Sequence, residues 1–407
     1  MGYGDRKSQS VRKLFGSYVQ SFYASHLVVF VIGLSIGVVI TLYCKDFMFN
    51  LQITSNSISW ITLPQSTPLP LPPPPSPSPA PLRLLDSDHV VTSNVEAQTS
   101  PLVHNLDDDL ELFWRASVVP RITVFPHNRV PKVAFMFLTK GPIPLAPLWE
   151  MFFKDHQGLY TIYVHTHPSY VDSWPEDSAF YRTRIPSKKV EWGKPTMIDA
   201  ERRLLASALL DFSNERFVLL SESCIPLFNF TTIYNFLMNS NQSFLSIYDD
   251  PTKVGRGRYN PQMDPSITLS DWRKGSQWFE VSRKLATEIV SDTKYYPLFR
   301  DYCSPPCYMD EHYIPTLVNI IGPDHNSNRT ITWVDWSRAG SAHPRTFGRR
   351  GVTAEVLNRI RFGANGTCDA YGNTIGSMCF LFARKFKPDT LHPLLHFAPM
   401  LLGSNSQ

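Results

Sequence analysis

Several features that would assign a function at once are missing from this sequence of 407 residues. The sequence has 39 Lys and Arg residues and 35 Asp and Glu residues, so its net charge is only +4. This charge is too weakly basic to indicate nucleic-acid binding. The sequence has no visible repeat, no Gly-rich phosphate loop of either common pattern and no Gly-x-Ser-x-Gly elbow. It therefore gives no sign of a repeat protein, a P-loop protein or a hydrolase with a nucleophile elbow.

Long apolar runs are also rare, with one exception near the N-terminus. The run from Leu27 to Cys44 is uncharged and comes close to the ~20 residues that cross a bilayer. It starts too far along the chain for a typical signal peptide, and four Lys and Arg residues precede it. The positive-inside rule then predicts residues 1–26 as a cytosolic tail and 27–44 as a signal anchor, with the rest in the lumen. A short span of this kind suits a type II Golgi membrane protein, and the alternative is a buried core helix.

Proline is concentrated in residues 64–82, where missing N–H donors prevent helix and sheet ladders. We therefore expect an extended Pro-rich stem over residues 45–129 and a folded domain over 130–407. An oxidising lumen favours disulfides, but five cysteines follow the anchor, so at least one stays unpaired within the chain. The same portion carries four N-glycosylation sequons, at Asn229, Asn241, Asn328 and Asn365.

Apolar runs alternate with amphipathic segments from about residue 132. This alternation predicts an α/β domain with a mainly parallel sheet that is covered on both faces. Ligands of such sheets bind at the carboxyl ends of the strands. Helices are predicted from about Leu145, over residues 197–212 and at TTIYNFLMN, and buried strands over residues 132–139, 161–168, 215–223 and 243–250.

Three potential metal ligands or proton carriers are consecutive in CYMDEHYIP: Asp310, Glu311 and His312. On a helix these side chains point about 100° apart, so they cannot converge on one metal ion. The pair Asp249 and Asp250 at a strand end is a better Mg²⁺ or Mn²⁺ candidate, but proline follows it where metal-dependent nucleotide-sugar enzymes usually have Asp-x-Asp. We therefore expect no metal.

Glu311 is the better candidate for a general base. It starts a short helix beside prolines and tyrosines, and partial desolvation there would raise its pKa toward a useful range. The alternative is that Asp310 and Glu311 only complement the helix dipole.

Two basic segments could hold an anionic ligand. FLFARKFKPDT places Arg384, Lys385 and Lys387 after an apolar strand, where fixed cations can bind a diphosphate without a metal. GRGRYNP offers Arg256 and Arg258 on a loop. For the FLFARKFKPDT segment the alternative is a solvated basic edge.

Six parts of the chain, which together cover about residues 130–390, share one resemblance: KVAFMFLTKGPIPLAPLWEMFFKDHQGLYTIYVHTHP, the ERRLLASALLD and ERFVLLSESCIPLFNF block, SDWRKGSQWFEVSR, MDEHYIPT, TWVDWSRAGSAHP and CFLFARKF. They resemble the plant branch of the core-2/I-branching glycosyltransferases, carbohydrate family 14. The resemblance implies a GT-A-like (Rossmann-like) fold, a UDP-sugar donor, a glycan or glycoprotein acceptor, inversion at the anomeric carbon and no metal cofactor.

The resemblance also implies residue roles. Glu311 would be the base, and Lys385 would stabilise the departing UDP diphosphate. The other implied donor-site residues are Arg384, Gly275, Ser276 and His165; the acceptor-site residues are Asp310, Trp336 and either Arg256 or Arg258; and the implied disulfide is Cys368–Cys379.

This sequence departs from the animal enzymes at two of these positions. His165 stands where they carry an aspartate on the uridine side, and a second phosphate-binding arginine has no match near Gly376 and Ser377. The donor sugar therefore stays open among N-acetylglucosamine, xylose and glucuronic acid. The rival interpretation is a non-catalytic Golgi glycan-binding or scaffold protein on a transferase fold.

Overall fold

The computed structural model describes residues 106–121, 129–171, 174–337, 343–363, 368 and 378–403. The predicted tail and anchor, Asn365 and most of the predicted stem lie outside these residues. Among the described helices, none has the length and apolar character of a membrane span. The helices are α1 Leu106–Ser117, α2 Ala146–Phe153, α3 Thr196–Leu209, α4 Phe230–Met238, α5 Arg283–Ser291, α6 Tyr296–Tyr302, α7 Met309–Ile321, α8 Ala354–Phe362, α9 Leu391–His396 and α10 Ala398–Leu402.

A four-stranded sheet of order β2-β1-β3-β5 forms the centre of the fold. The first three strands along the chain in this sheet are parallel, so Phe135 of β1 lies opposite Ile162 of β2 and Val218 of β3, whereas β5 is antiparallel. The mixed α/β class and the three parallel strands were predicted correctly. The strands are β1 Lys132–Leu138, β2 Tyr160–His165, β3 Asn214–Ser221, β4 Ile225–Pro226, β5 Glu280–Ser282, β6 Thr332–Val334 and β7 Phe382–Arg384.

Both faces of this sheet are buried, as the near-continuous apolar strands predict. Phe135 and its alternate neighbours on β1 face a core that includes Trp149 of α2. Met136 and its neighbours face a second core that includes Leu204 of α3 and Leu317 of α7. Because both faces of the sheet are covered, we expect ligands to bind at the carboxyl ends of the parallel strands.

Strands β4, β7 and β6 form a second, three-stranded sheet. Strand β6 pairs in parallel with β7, and β4 pairs with β7 in the antiparallel direction. This small sheet places Arg384 at the end of β7, directly before Lys385.

The predicted strand over residues 243–250 is wrong. Only isolated bridges occur there, such as the one between Tyr248 and Lys274. Side-chain amides bind the backbone that a sheet ladder would use: the Asn326 Oδ1 accepts from the Leu245 N–H at 3.0 Å, and the Asn328 Oδ1 accepts from the Ile247 N–H at 2.7 Å. The strand prediction missed this because both asparagines lie about 80 residues further along the chain.

Helix α1 lies within the predicted stem, yet it contacts the folded domain. Its Asp109 carboxylate accepts hydrogen bonds from Arg203 Nε at 2.9 Å and from Lys188 Nζ at 2.6 Å. The packed part of the chain therefore extends N-terminal of residue 130.

Two disulfides join cysteines of the described chain. Cys368 bonds Cys379, the pair that the resemblance implied, and Cys303 bonds Cys307, a pair that the sequence analysis left open. Cys224 is a free, fully buried thiol that packs as a small apolar side chain.

Candidate active site

Glu311 lies in the first turn of α7, which begins after the extended residue Tyr308. Its Oε2 accepts from Arg258 Nη1 at 2.7 Å and from the Lys274 ammonium. All three side chains are mostly buried. We call Glu311, Arg258 and Lys274 the Glu311 cluster. Charge-assisted hydrogen bonds of this kind are about twice as strong as neutral ones, so they fix the orientation of the carboxylate.

A proline inside α7 helps to position this cluster. Pro315 has no N–H, so the Glu311 carbonyl oxygen has no helical donor at the usual position four residues on. The Gly275 N–H donates to that oxygen at 2.8 Å. Since Lys274 precedes Gly275, the same contact brings the Lys274 ammonium to the Glu311 carboxylate.

The expected rise in the pKa of Glu311 is not what the structure gives. Burial raises this pKa, but the cations of Lys274 and Arg258 outweigh burial, and the net shift is downward. The sequence did not reveal that two cations would pair with Glu311. Glu311 is therefore held as a carboxylate.

The neighbouring residue, Asp310, is the one whose pKa is raised. Burial, and then the charge of Glu311, raise the pKa of Asp310 to about 6. Behind it, the fully buried Glu201 of α3 accepts from Gln277 Nε2 at 2.9 Å, and burial raises the pKa of Glu201 well above its ordinary value. Three carboxyl groups thus meet here, and Glu311 has the strongest tendency to ionise.

His312 is more than an ordinary neighbour at the helix start. It is fully buried and stacks on Trp272 with ring centroids 4.6 Å apart. Its Nδ1 lies 2.9 Å from the Arg273 carbonyl oxygen, and its Nε2 lies 3.5 Å from Arg258 Nη1. Because burial lowers the pKa of His312 to about 4, the ring is neutral at pH 7, so its Nδ1–H donates to the Arg273 carbonyl and its Nε2 faces Arg258 as an acceptor.

The two arginines of the GRGRYNP loop bind different carboxylates. Arg258 joins the Glu311 cluster, whereas Arg256 makes a bidentate pair with Asp249, with its Nε 2.7 Å from Oδ1. The Asp250 Oδ1 accepts from the Thr252 N–H at 2.9 Å. Within the described residues, no three His, Cys, Asp or Glu side chains are grouped as metal ligands.

A second group of charged side chains lies at the ends of β7 and β1. It consists of Arg384, the last residue of β7, with Lys385 directly after it and Lys140 shortly after β1, and we call it the basic cluster. Burial lowers the pKa of Lys385, and the Arg384 and Lys140 cations lower it further, while Glu222 opposes them. Arg384 lies over the Trp278 ring, with its Cζ 3.9 Å from the centroid. No ion pair neutralises Arg384 or Lys385 among the residues that the structure describes. This partly buried positive charge favours an anionic ligand.

The remaining predicted donor-site residues lie on separate elements. His165 ends β2, and its Nε2 accepts from the Lys188 N–H at 3.3 Å. Burial lowers the pKa of His165 to about 3, so the ring is neutral and its Nδ1 carries the proton; this buried Nδ1 has no hydrogen-bond partner in the described part of the chain. The Ser276 Oγ accepts from the Trp278 N–H at 3.3 Å.

Trp336 and the described sequons lie toward the surface. Trp336 follows β6 and is 55% exposed. Asn229 is the N-cap of α4, where its side chain accepts from the Thr232 N–H, and Asn241 and Asn328 are exposed. No hydrogen bond or ion pair within the described ranges links Trp336 or Lys385 to Glu311.

Lys274 is the main site residue that the sequence analysis missed. It directly precedes the expected Gly275–Ser276 pair, but a lysine beside a glycine carries no distinguishing signal. Its pairing with Glu311, across 37 positions, depends on the tertiary fold.

Comparison with known proteins shows the family of this chain. The family described as Core-2/I-Branching enzyme matches residues 133–361, a range that holds α7 and the Glu311 cluster. The chain belongs to this family and is a glycosyltransferase. It is 35% identical over 298 residues to a rice protein, Glycosyltransferase BC10 of Oryza sativa subsp. japonica, covering 63% of this chain and 73% of that protein.

Proposed function

We propose that this glycosyltransferase transfers a sugar from a UDP-sugar to a hydroxyl group of a glycan or glycoprotein, with inversion and without a metal, on a GT-A-like domain. The observation that carries the proposal is the Glu311 cluster, in which a fixed, ionised carboxylate stands at the start of a helix in a partly buried site. An ionised carboxylate is the form in which a general base can accept a proton from a hydroxyl group.

In the proposed reaction, the acceptor hydroxyl approaches Glu311 and displaces one of its cations. As the acceptor oxygen bonds to the anomeric carbon, the carboxylate takes the hydroxyl proton. The bond from that carbon to the UDP phosphate oxygen breaks on the opposite face, and UDP leaves with the electron pair. Losing a cation raises the basicity of Glu311 at the moment when it is needed.

The basic cluster is proposed to bind the departing diphosphate. Lys385 stabilises the charge that develops on UDP, and Arg384 and Lys140 add to the positive field. The support is that burial, and then repulsion from the Arg384 and Lys140 cations, lower the pKa of Lys385, and a bound diphosphate would offset that repulsion. The ion pair between Asp249 and Arg256 supports transfer without a metal. Asp249 belongs to the pair of carboxylates that best suits a metal ion, and Arg256 already balances its negative charge.

The other site residues divide between the two substrates. We assign Gly275, Ser276 and His165 to the donor, as the family resemblance implies. For His165 the support is its place at the end of β2 and its buried Nδ1–H, which has no hydrogen-bond partner in the described part of the chain. Asp310, Trp336 and Arg258 are assigned to the acceptor. Arg256, which is exposed and bound to Asp249, has less support than Arg258.

The cellular setting is proposed from the sequence. Residues 27–44 anchor the chain as a type II protein in the Golgi membrane, and the stem holds the catalytic domain in the lumen. The sequons and disulfides suit that compartment.

A donor screen tests the activity. Full-length protein is incubated with UDP-N-acetylglucosamine, UDP-xylose and UDP-glucuronic acid, each with and without EDTA, and released UDP is measured. We expect turnover of one donor that EDTA leaves unchanged. Turnover that EDTA abolishes and Mn²⁺ restores would overturn metal independence and implicate Asp249 and Asp250, and no turnover of any UDP-sugar would overturn the donor class.

A further inference from the structure

Trp192 is an exposed aromatic residue that is connected to the candidate active site by contacts between neighbouring side chains. Its side chain is 51% exposed. Its ring centroid lies 4.9 Å from that of Tyr308 and 5.1 Å from that of His343. A single exposed apolar residue needs no explanation, but this one is held in place by other aromatic rings.

A short series of contacts connects Trp192 to the catalytic carboxylate. Tyr308 lies between Trp192 and Arg258, whose Cζ is 4.7 Å from the Tyr308 ring centroid. Arg258 in turn donates to Glu311 at 2.7 Å. The Tyr308 carbonyl oxygen also accepts from the Glu311 N–H at 3.0 Å. Trp192, Tyr308, Arg258 and Glu311 thus form a continuous row, which we call the aromatic row.

The backbone around Trp192 is fixed at the ligand-binding edge of the sheet. Gly193 has φ +74, and a Cβ there would lie 3.0 Å from the Tyr308 ring, so only glycine fits closely against this tyrosine. The Lys188 N–H donates to His165 Nε2 at the end of β2. The Trp192 loop is therefore attached to both the strand end and the start of α7.

We propose that Trp192 stacks against a pyranose ring of the acceptor, an inference that rests on the proposed function. One face of a pyranose ring presents C–H groups, which suit the electron-rich face of an indole, while its hydroxyl groups suit Arg258. We assign the sugar that stacks on Trp192 to the acceptor rather than to the donor. The reacting hydroxyl group of the acceptor must reach Glu311, which lies at the other end of the aromatic row. The donor diphosphate is assigned to the basic cluster instead.

The test compares sugar binding by variants of the full-length protein. Methyl β-galactopyranoside, methyl β-glucopyranoside and methyl β-xylopyranoside are titrated in the presence of UDP, and binding is followed by saturation-transfer NMR. We expect Trp192→Ala to weaken binding of at least one glycoside on the order of tenfold, and Trp192→Phe to retain most of it. Trp114→Ala, which removes a tryptophan that is 66% exposed on α1, should change nothing.

UDP affinity is measured for the same proteins by calorimetry and should be equal in all of them. The subsite is overturned if the wild-type protein binds none of the glycosides, if Trp192→Ala binds them equally well, or if Trp192→Ala weakens UDP binding instead. Failure of the proposed function looks different: glycoside binding would still depend on Trp192, but no UDP-sugar would turn over.

Discussion

The Gly275 N–H donates to the Glu311 carbonyl oxygen at 2.8 Å, a contact that depends on Pro315 leaving that oxygen without a helical donor. The chain segments around these residues approach so closely that a Cβ on Gly275 would lie 2.0 Å from the Ser246 carbonyl oxygen and 2.7 Å from Pro315 Cγ. Glycine is thus required for steric reasons at the point where α7 meets the Lys274 segment.

Gly275→Ala should therefore destabilise the protein and impair activity. Overpacking against backbone typically costs about 1–3 kcal/mol, and any relaxation would move Lys274 away from Glu311. Urea denaturation measures the first effect and UDP release the second. Gly141→Ala is the matched control, because its nearest neighbour would be a Tyr170 ring carbon at 3.7 Å. Equal stability of Gly275→Ala and the wild-type protein would show that this close approach does not constrain the fold.

Glu311→Gln tests the base directly. The amide keeps the size of the side chain but cannot take a proton, so kcat should fall by at least roughly 10²-fold, while UDP affinity is retained. Steady-state kinetics and calorimetry separate these two effects. Glu355→Gln, at an exposed position of α8, serves as the control. Near-normal turnover by Glu311→Gln would refute its role as the base.

Lys385→Ala should weaken UDP binding. Loss of one charge-assisted contact to a phosphate corresponds to roughly a ten- to hundredfold increase in the Kd for UDP. Lys387→Ala removes an equal charge from an exposed side chain two positions further on, and it should leave the Kd nearly unchanged. If both variants bind UDP alike, the diphosphate is not held by Lys385.

Asp310→Asn should change how stability depends on pH. The pKa of Asp310 is about 6 in the folded protein, above its ordinary value, so between about pH 4 and 6 the folded state keeps a proton that the unfolded state releases. Rising pH therefore reduces wild-type stability across this window, and the loss persists above it. The Asp310→Asn variant does not lose this stability, because asparagine does not titrate.

The Asp310→Asn variant should thus be more stable than wild type above pH 6, on the order of 1–3 kcal/mol, and nearly equal to it near pH 4. Urea unfolding at several pH values measures this difference. The exposed Asp324→Asn variant provides the comparison, and its curve should follow that of the wild-type protein. A constant offset of Asp310→Asn at every pH would contradict the raised pKa.

Local pattern predicted the three parallel strands of the central sheet and helices α2, α3, α4 and α7, but not the short strands β4, β5 and β6 or the remaining described helices. The three parallel strands are buried apolar runs, and the helix predicted over residues 197–212 corresponds to α3, with Leu204 and Leu205 fully buried. The predicted strand at 243–250 failed, because distant asparagine side chains bind its backbone. Strand β5 was not predicted, since three residues are too few to show a period.

The sequence by itself determined the α/β class, the family and the candidate base, because these depend on local apolar patterns and on short stretches of identity. The prediction of a raised pKa for Glu311 failed since a pKa depends on charges from other parts of the chain. Only the tertiary structure decided that Lys274 and Arg258 hold Glu311 ionised, that the raised pKa belongs to Asp310, and that Arg258 rather than Arg256 joins the cluster. These outcomes depend on contacts between segments tens of residues apart, which no local pattern encodes.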